Sequence, residues 1–125
     1  MDEKTFVTGL GTIHYWTGPV EAARPWLIFL PGLTADSRLF ERQMEGLGAR
    51  CNCLVWDAPA HGKSRPFPLD FSLEDMADYL RGILDAEGIS RPILVGQSLG
   101  GYVSQVFMTR YPGTASGFVS IDSCS

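Results

Sequence analysis

Four apolar runs alternate with helix-forming segments along this chain, and that alternation constrains the fold most strongly. Each run is apolar at nearly consecutive positions, which is typical of strands buried on both faces of a parallel sheet. Strands and helices at such short intervals predict βαβ units, and therefore an α/β domain in which helices cover both faces of a mostly parallel sheet. The runs are WLIFLPG (26–32), CNCLVWDAP (51–59), PILVGQ (92–97) and GFVSIDS (117–123).

The segments around these runs carry helix and hairpin signals. TFVTGLGTIHYWTG (5–18) predicts a hairpin that turns around Gly9 and Gly11. Three segments predict helices because polar capping residues precede an apolar stripe, or because a proline ends the pattern. They are DSRLFERQMEGLG (36–48), with Asp36 or Ser37 as N-cap, SLEDMADYLRGILDAEG (72–88), with Ser72 as N-cap and Gly88 after its last turn, and LGGYVSQVFMTRYP (99–112).

Length and charge exclude several functional classes. The 125 residues suffice for one domain, and the net charge of −4 comes without a Lys/Arg cluster, so we expect no nucleic-acid partner. The densest apolar run, 26–33, is too short to span a bilayer. The N-terminal MDEKTF lacks the basic and apolar regions of a signal peptide, so we expect a cytoplasmic protein with free thiols.

The segment ILVGQSLGG (93–101) contains the pattern G-x-S-x-G, in which Ser98 stands between Gly96 and Gly100. It follows a predicted strand and opens a predicted helix, which is the setting of a nucleophile held on a sharp turn. The positive end of that helix and its unpaired N–H groups would favour a developing oxyanion. A tight strand-to-helix turn with a serine N-cap and no catalysis is the alternative.

Two further segments precede the serine at a recognisable spacing. With FLPGLTADSRLF (29–40) and DAPAHGKSRP (57–66), the chain resembles the N-terminal half of the α/β-hydrolase superfamily, from its first strands to its sixth. The resemblance implies that residues 1–125 are the N-terminal portion of a single such domain, truncated after strand 6. Two departures are visible, because Pro31 stands where the family usually has histidine and Ala60 where it usually has glycine.

The resemblance also assigns roles to three residues. Ser98 matches the nucleophile, and the backbone N–H groups of Leu33 and Leu99 match the two donors of the oxyanion hole. Both donors act through the backbone, so leucine side chains are no objection. A serine rather than an aspartate at this turn argues against the dehalogenase and epoxide-hydrolase branches.

The catalytic acid and base of the family are not found by this comparison. The family order is nucleophile, acid, histidine, whereas His14 and His61 both precede Ser98. His61 matches a loop histidine that is not the family's base, and His14 is expected on a strand surface. Asp122 lies near the position of the acid in some branches, and Asp57 is expected to shape a loop. We therefore expect the chain alone to be inactive.

The sequence thus predicts the nucleophile-bearing part of a serine hydrolase. Its substrate would be a small ester, thioester, lactone or related carbonyl compound, and a lyase or acyltransferase reaction on the same scaffold stays open. A non-catalytic α/β domain that binds a ligand or partner is the alternative, and a flavodoxin-like domain is less favoured because no phosphate-binding loop is present. The expected partners include a second copy or a missing C-terminal half.

Neither a cofactor nor a metal is expected. Cys51 and Cys53 share one face of a strand but have no second pair of ligands, so a zinc site is not predicted. The sequence instead predicts that both cysteines are small core residues. Nothing singles out Cys124.

Overall fold

The computed structural model describes residues 1–121, which form a six-stranded sheet in the order β1-β2-β4-β3-β5-β6. β1 and β2 form the predicted antiparallel hairpin, β2 is antiparallel to β4, and β3 to β6 are parallel to one another. The strands are β1 (Asp2–Val7), β2 (Thr12–Thr17), β3 (Trp26–Leu30), β4 (Asn52–Trp56), β5 (Ile93–Gln97) and β6 (Gly117–Ile121). The predicted mostly parallel α/β fold is confirmed, and Asp122 and Cys124 lie outside the described residues.

Within residues 1–121, three α-helices connect the parallel strands: α1 (Glu41–Leu47), α2 (Leu73–Glu87) and α3 (Leu99–Arg110). The segment predicted as one helix over 36–48 instead begins as a 3-10 turn at Ser37–Phe40, because the Asp36 side chain accepts a hydrogen bond from the N–H of Arg38 and tightens the chain there. Of the two expected N-cap residues, Asp36 is the one that caps this 3-10 turn. None of the helices within residues 1–121 is long and apolar enough to cross a membrane.

Helix α2 has the boundaries that its sequence predicts. Ser72 Oγ accepts a hydrogen bond from the N–H of Asp75 at 3.0 Å, and the Asp75 carboxylate accepts one from the N–H of Ser72 at 3.0 Å, which completes a capping box. At the other end Gly88 has a φ of 67°, a left-handed conformation that glycine adopts without strain.

The continuous apolarity of the strands is explained by burial on both sheet faces. Along β3, Ile28 and Leu30 face α2 and α3, whereas Phe29 faces α1. β4 shows the same alternation: Leu54 and Trp56 face α2 and α3, whereas Cys53 and Val55 face α1. The α1 side is the smaller cluster of buried residues: Phe29, Phe40, Met44, Cys53, Val55 and Val95.

Strand β6 is an edge of the sheet within residues 1–121, where it pairs only with β5. Phe118 packs against the core on the α2 and α3 side. Val119 and Ile121 are 49% and 39% exposed. The described part of β6 therefore presents an open backbone edge and two exposed apolar side chains.

Side-chain hydrogen bonds to Asp78 connect helix α2 to the C-terminal end of α3. Arg110 donates two hydrogen bonds to the Asp78 carboxylate, from Nε at 2.8 Å and from Nη2 at 2.9 Å, and the Tyr111 hydroxyl donates a third. The hydrogen bonds from Arg110 are the largest effect on the pKa of Asp78 and hold it below its ordinary value; burial opposes them, and the hydrogen bond from Tyr111 lowers the pKa further.

We expect Asp78→Asn to lower the free energy of unfolding by about 1 kcal/mol at neutral pH, a modest value because the side chain is 38% exposed. Since the pKa of Asp78 is lowered in the folded state, this stabilisation is present above the unfolded pKa and is lost as the pH falls through the folded pKa. Urea unfolding at pH 7 and pH 3 measures it, with the exposed Asp70→Asn as the matched control. Equal losses at the two pH values would contradict it.

Candidate active site

The G-x-S-x-G segment forms a sharp turn between β5 and α3. Ser98 has φ 55° and ψ −116°, a conformation that residues other than glycine rarely adopt. A Cβ added at Gly96 would collide with the carbonyl group of Gly100, and one added at Gly100 would collide with the carbonyl group of Leu30. Both glycines are therefore required for β5, α3 and β3 to approach one another so closely.

Within residues 1–121, backbone hydrogen bonds rather than the Ser98 hydroxyl hold this turn. Its backbone carbonyl accepts hydrogen bonds from the N–H groups of Gly101 at 2.8 Å and Tyr102 at 3.3 Å, and its N–H donates to the carbonyl of Ile121 at 3.4 Å. The hydroxyl makes no capping hydrogen bond to α3. Ser98 is therefore the N-cap residue of α3 by position, as the alternative expects, but without a side-chain capping hydrogen bond.

The loop after β3 packs directly against this turn. A Cβ added at Gly32 would lie 2.7 Å from Ser98 Cβ and 2.6 Å from the carbonyl oxygen of Gln97, so the Gly32 backbone touches both residues. The N–H of Ala35 donates to the carbonyl of Gly32 at 3.1 Å and closes a turn in which Thr34 has φ 64°. Leu33 lies within this turn, and its side chain is 63% exposed.

The structure thus brings two candidate donors close to Ser98. Leu99 follows Ser98 in the chain as the first residue of α3, and Leu33 follows Gly32, which contacts Ser98. Within residues 1–121, neither the Leu33 N–H nor the Leu99 N–H has a hydrogen-bond acceptor. Unpaired N–H groups at a helix N-terminus commonly bind negatively charged oxygens in proteins.

Gln97 is a residue of this site that sequence analysis does not single out. The N–H of Gly32 donates to Gln97 Oε1 at 2.7 Å, across 65 residues of sequence. The only signal available in the sequence was its position immediately before Ser98, which does not reveal where its side chain points.

Asp57 shapes the loop that follows β4. The buried carboxylate accepts hydrogen bonds from the N–H of Ser37 at 2.7 Å and from the N–H of Lys63 at 2.8 Å. Ser64 Oγ donates to the Asp57 carbonyl at 2.6 Å. Ala60, the residue found in place of the expected glycine, has φ 70°, so this loop retains a conformation that favours glycine.

Neither histidine is hydrogen-bonded to Ser98. His61 Nδ1 lies 3.0 Å from the carbonyl of Pro59, and because a carbonyl only accepts, this nitrogen carries the proton. His14 Nδ1 lies 2.9 Å from the Glu3 carboxylate, and hydrogen bonds from His14 and Lys63 lower the pKa of Glu3. Both histidines therefore have local partners in their own parts of the fold.

A cavity of about 640 Å³ lies beside α1, between that helix and the loop after β4. Its apolar lining residues are Met1, Trp16, Met44 and Val55. Ser98, Leu33 and Leu99 do not line it, so it is separate from the candidate site.

The side chains that could hold a metal are dispersed. Residues 1–121 contain no group of three or more His, Cys, Asp or Glu side chains placed to bind an ion. Burial raises the pKa of the Cys53 thiol to about 11, so this thiol is protonated at neutral pH.

Comparison with known proteins gives consistent matches. A family model described as the alpha/beta hydrolase fold matches residues 25–125. A 2-(acetamidomethylene)succinate hydrolase of Mesorhizobium japonicum is 32% identical over 78% of this chain and 35% of its own length. A 2-succinyl-6-hydroxy-2,4-cyclohexadiene-1-carboxylate synthase of Salmonella arizonae is 34% identical over 75% of this chain and 36% of its own.

The solved structures show the same likeness. The crystal structure of the N-acyl homoserine lactonase AidH complexed with N-butanoyl homoserine has a TM-score of 0.84 and 26% identity, and the match covers 96% of this chain and 44% of that one. The chain thus spans between a third and a half of the length of each of these three proteins.

Proposed function

The chain belongs to the α/β-hydrolase fold family, and we propose that it carries the nucleophile of a serine hydrolase that acts on a small ester, thioester, lactone or related carbonyl compound. One observation carries the proposal: Ser98 is held at a positive φ with its hydroxyl free of capping, beside the N–H groups of Leu33 and Leu99, which have no acceptor within residues 1–121. A serine that only formed a turn would not need this combination.

The proposed mechanism follows from these groups. Ser98 Oγ attacks the substrate carbonyl carbon while a general base accepts its proton, and the carbonyl oxygen becomes an oxyanion between the N–H groups of Leu33 and Leu99. Collapse of this intermediate expels the leaving group, which takes the proton from the base. Water then attacks the acyl-enzyme in the same way and releases Ser98.

We propose that the base and its acid partner come from polypeptide outside these 125 residues. His61 and His14 are held by Pro59 and Glu3 rather than by Ser98. The open edge of β6 and its exposed apolar residues offer a surface on which such polypeptide would pack. The same surface is where a second copy of the chain would associate.

The relatives support a carbonyl substrate. A hydrolase of 2-(acetamidomethylene)succinate and a lactonase are both among them. The similarity to 2-succinyl-6-hydroxy-2,4-cyclohexadiene-1-carboxylate synthase favours a non-hydrolytic reaction as the second candidate function. Release of the free acid from an acyl-enzyme on Ser98, with water as the only acyl acceptor, distinguishes the two, because only the hydrolytic reaction transfers the acyl group to water.

We expect a fluorophosphonate probe to label Ser98, because such probes react with serine hydroxyls that a base has activated. The experiment uses a polypeptide that contains this chain together with the segment that supplies the base, and mass spectrometry locates the adduct. Ser98→Ala should abolish labelling. Ser120→Ala is the matched control, since Ser120 is an exposed serine on the neighbouring strand β6 and its loss should change nothing. Labelling that persists in Ser98→Ala would refute the assignment.

A further inference from the structure

The Gln97 carboxamide connects the serine turn to the loop after β3. Its Oε1 atom accepts a hydrogen bond from the N–H of Gly32 at 2.7 Å. An N–H donor can pair only with the oxygen of a carboxamide, so this contact also fixes which way the amide faces. Gly32 is itself buried, which makes an unpaired N–H at this position costly.

The contact is reinforced by close packing. A Cβ added at Gly32 would lie 2.5 Å from Gln97 Oε1 and 2.7 Å from Ser98 Cβ, so the loop and the turn are in direct contact with no space between them. Leu33 is the next residue after Gly32. Any displacement of Gly32 away from Gln97 therefore moves the Leu33 N–H relative to Ser98.

We propose that Gln97 is a positioning residue that fixes the distance between the Leu33 N–H and Ser98 by binding the N–H of Gly32. This inference rests on the proposed function, in which Leu33 donates to the oxyanion. Gln97 touches neither the substrate nor the reacting atoms in this role. It acts through the backbone of a loop 65 residues earlier in the chain.

The direct test is Gln97→Met in a polypeptide that also supplies the base, because this substitution keeps the length of the side chain and removes its hydrogen-bonding oxygen. We expect kcat to fall by roughly 10²-fold, because misplacing an oxyanion donor by about 1 Å has a cost of this order. KM should stay within about threefold, since the ground-state carbonyl depends less on this donor. The affinity for a boronic acid that forms a tetrahedral adduct on the serine should fall in parallel with kcat. Gln105→Met, an exposed glutamine on α3, is the control and should leave kcat unchanged.

Hydrogen exchange of the Gly32 amide gives a readout that does not depend on turnover. In the unmodified protein we expect the Gly32 amide to be protected and the Leu33 amide to exchange fast, because of these two N–H groups only that of Gly32 has an acceptor among residues 1–121. Should Gln97→Met fail to fold, Gln97→Glu keeps an oxygen acceptor and should retain the protection of Gly32. An unprotected Gly32 amide in the unmodified protein would overturn the inference.

The kinetic outcomes separate the inference from the function it rests on. Normal probe labelling of Ser98 combined with an unchanged kcat in a folded Gln97→Met would overturn this inference alone. A rise in KM without loss of boronic acid affinity would also overturn it. If Ser98 in the unmodified protein is not labelled at all, the proposed function fails and the inference fails with it.

Discussion

Ser98→Ala should lower kcat by a factor of about 10⁶, because a nucleophile that works as a unit with its base accounts for most of the turnover of a serine hydrolase. Alanine removes the attacking oxygen and leaves the turn intact, since the Ser98 hydroxyl makes no capping hydrogen bond. The melting temperature should therefore change little while activity is lost. Steady-state kinetics on an activated ester, alongside a thermal melt, measures both quantities in a polypeptide that includes the base.

His61→Ala is the informative companion variant. His61 is the histidine nearest in sequence to the serine turn, yet its Nδ1 faces the Pro59 carbonyl. Its removal should cost at most about tenfold in kcat, through a small change in the loop after β4. A loss as large as that of Ser98→Ala would show that His61 is the base and that the proposed source of the base is wrong.

Much of the fold was predictable because its signals are local. Burial on both faces makes β3, β4 and β5 continuously apolar, so their existence and parallel arrangement follow from residues adjacent in sequence. The boundaries of α2 were predictable for the same reason, because Ser72 and Gly88 act within one turn of its ends. The 3-10 turn at Ser37–Phe40 was not predicted, because the same capping residue, Asp36, and the same apolar pattern precede a regular helix and a 3-10 turn alike.

The candidate site was predictable only in part, because its residues meet across the sheet. The turn around Ser98 follows from its two glycines, and the tight packing of Gly32 on that turn depends on the placement of β3 beside β5. The hydrogen bond between Gly32 and Gln97 has no sequence signal at all. The positive φ of Ala60 and Thr34 was likewise hidden, because these residue types do not favour that conformation and the surrounding contacts impose it.

Gly100→Ala should destabilise the protein strongly, whereas Gly101→Ala, one residue further along α3, should not. The Cβ of alanine at position 100 would collide with the Leu30 carbonyl oxygen and lie 2.7 Å from its carbon. These are backbone atoms of a central strand, so neither partner can turn aside. We expect a loss of more than about 3 kcal/mol in the free energy of unfolding, at or above the upper end of the usual cost of overpacking.

Gly101→Ala makes the same chemical change at a neighbouring helical position. There the new Cβ would lie 3.7 Å from Ser120 Oγ, which is an ordinary contact. Alanine is the better helix former by about 1 kcal/mol, so this variant should be neutral or slightly more stable. Urea unfolding of the two variants compares them directly.

Comparing Gly100→Ala with Gly101→Ala separates the effect of the close approach of α3 to β3 from the general effect of replacing a glycine in α3. A total stability of only about 5–15 kcal/mol is ordinary for a domain, so the predicted loss in Gly100→Ala is a large share of it. Equal behaviour of the two variants would mean that α3 is not pressed against the backbone of β3. In that case the strained conformation of Ser98 would also lose its explanation, because the same approach of Gly96, Gly100 and Leu30 imposes it.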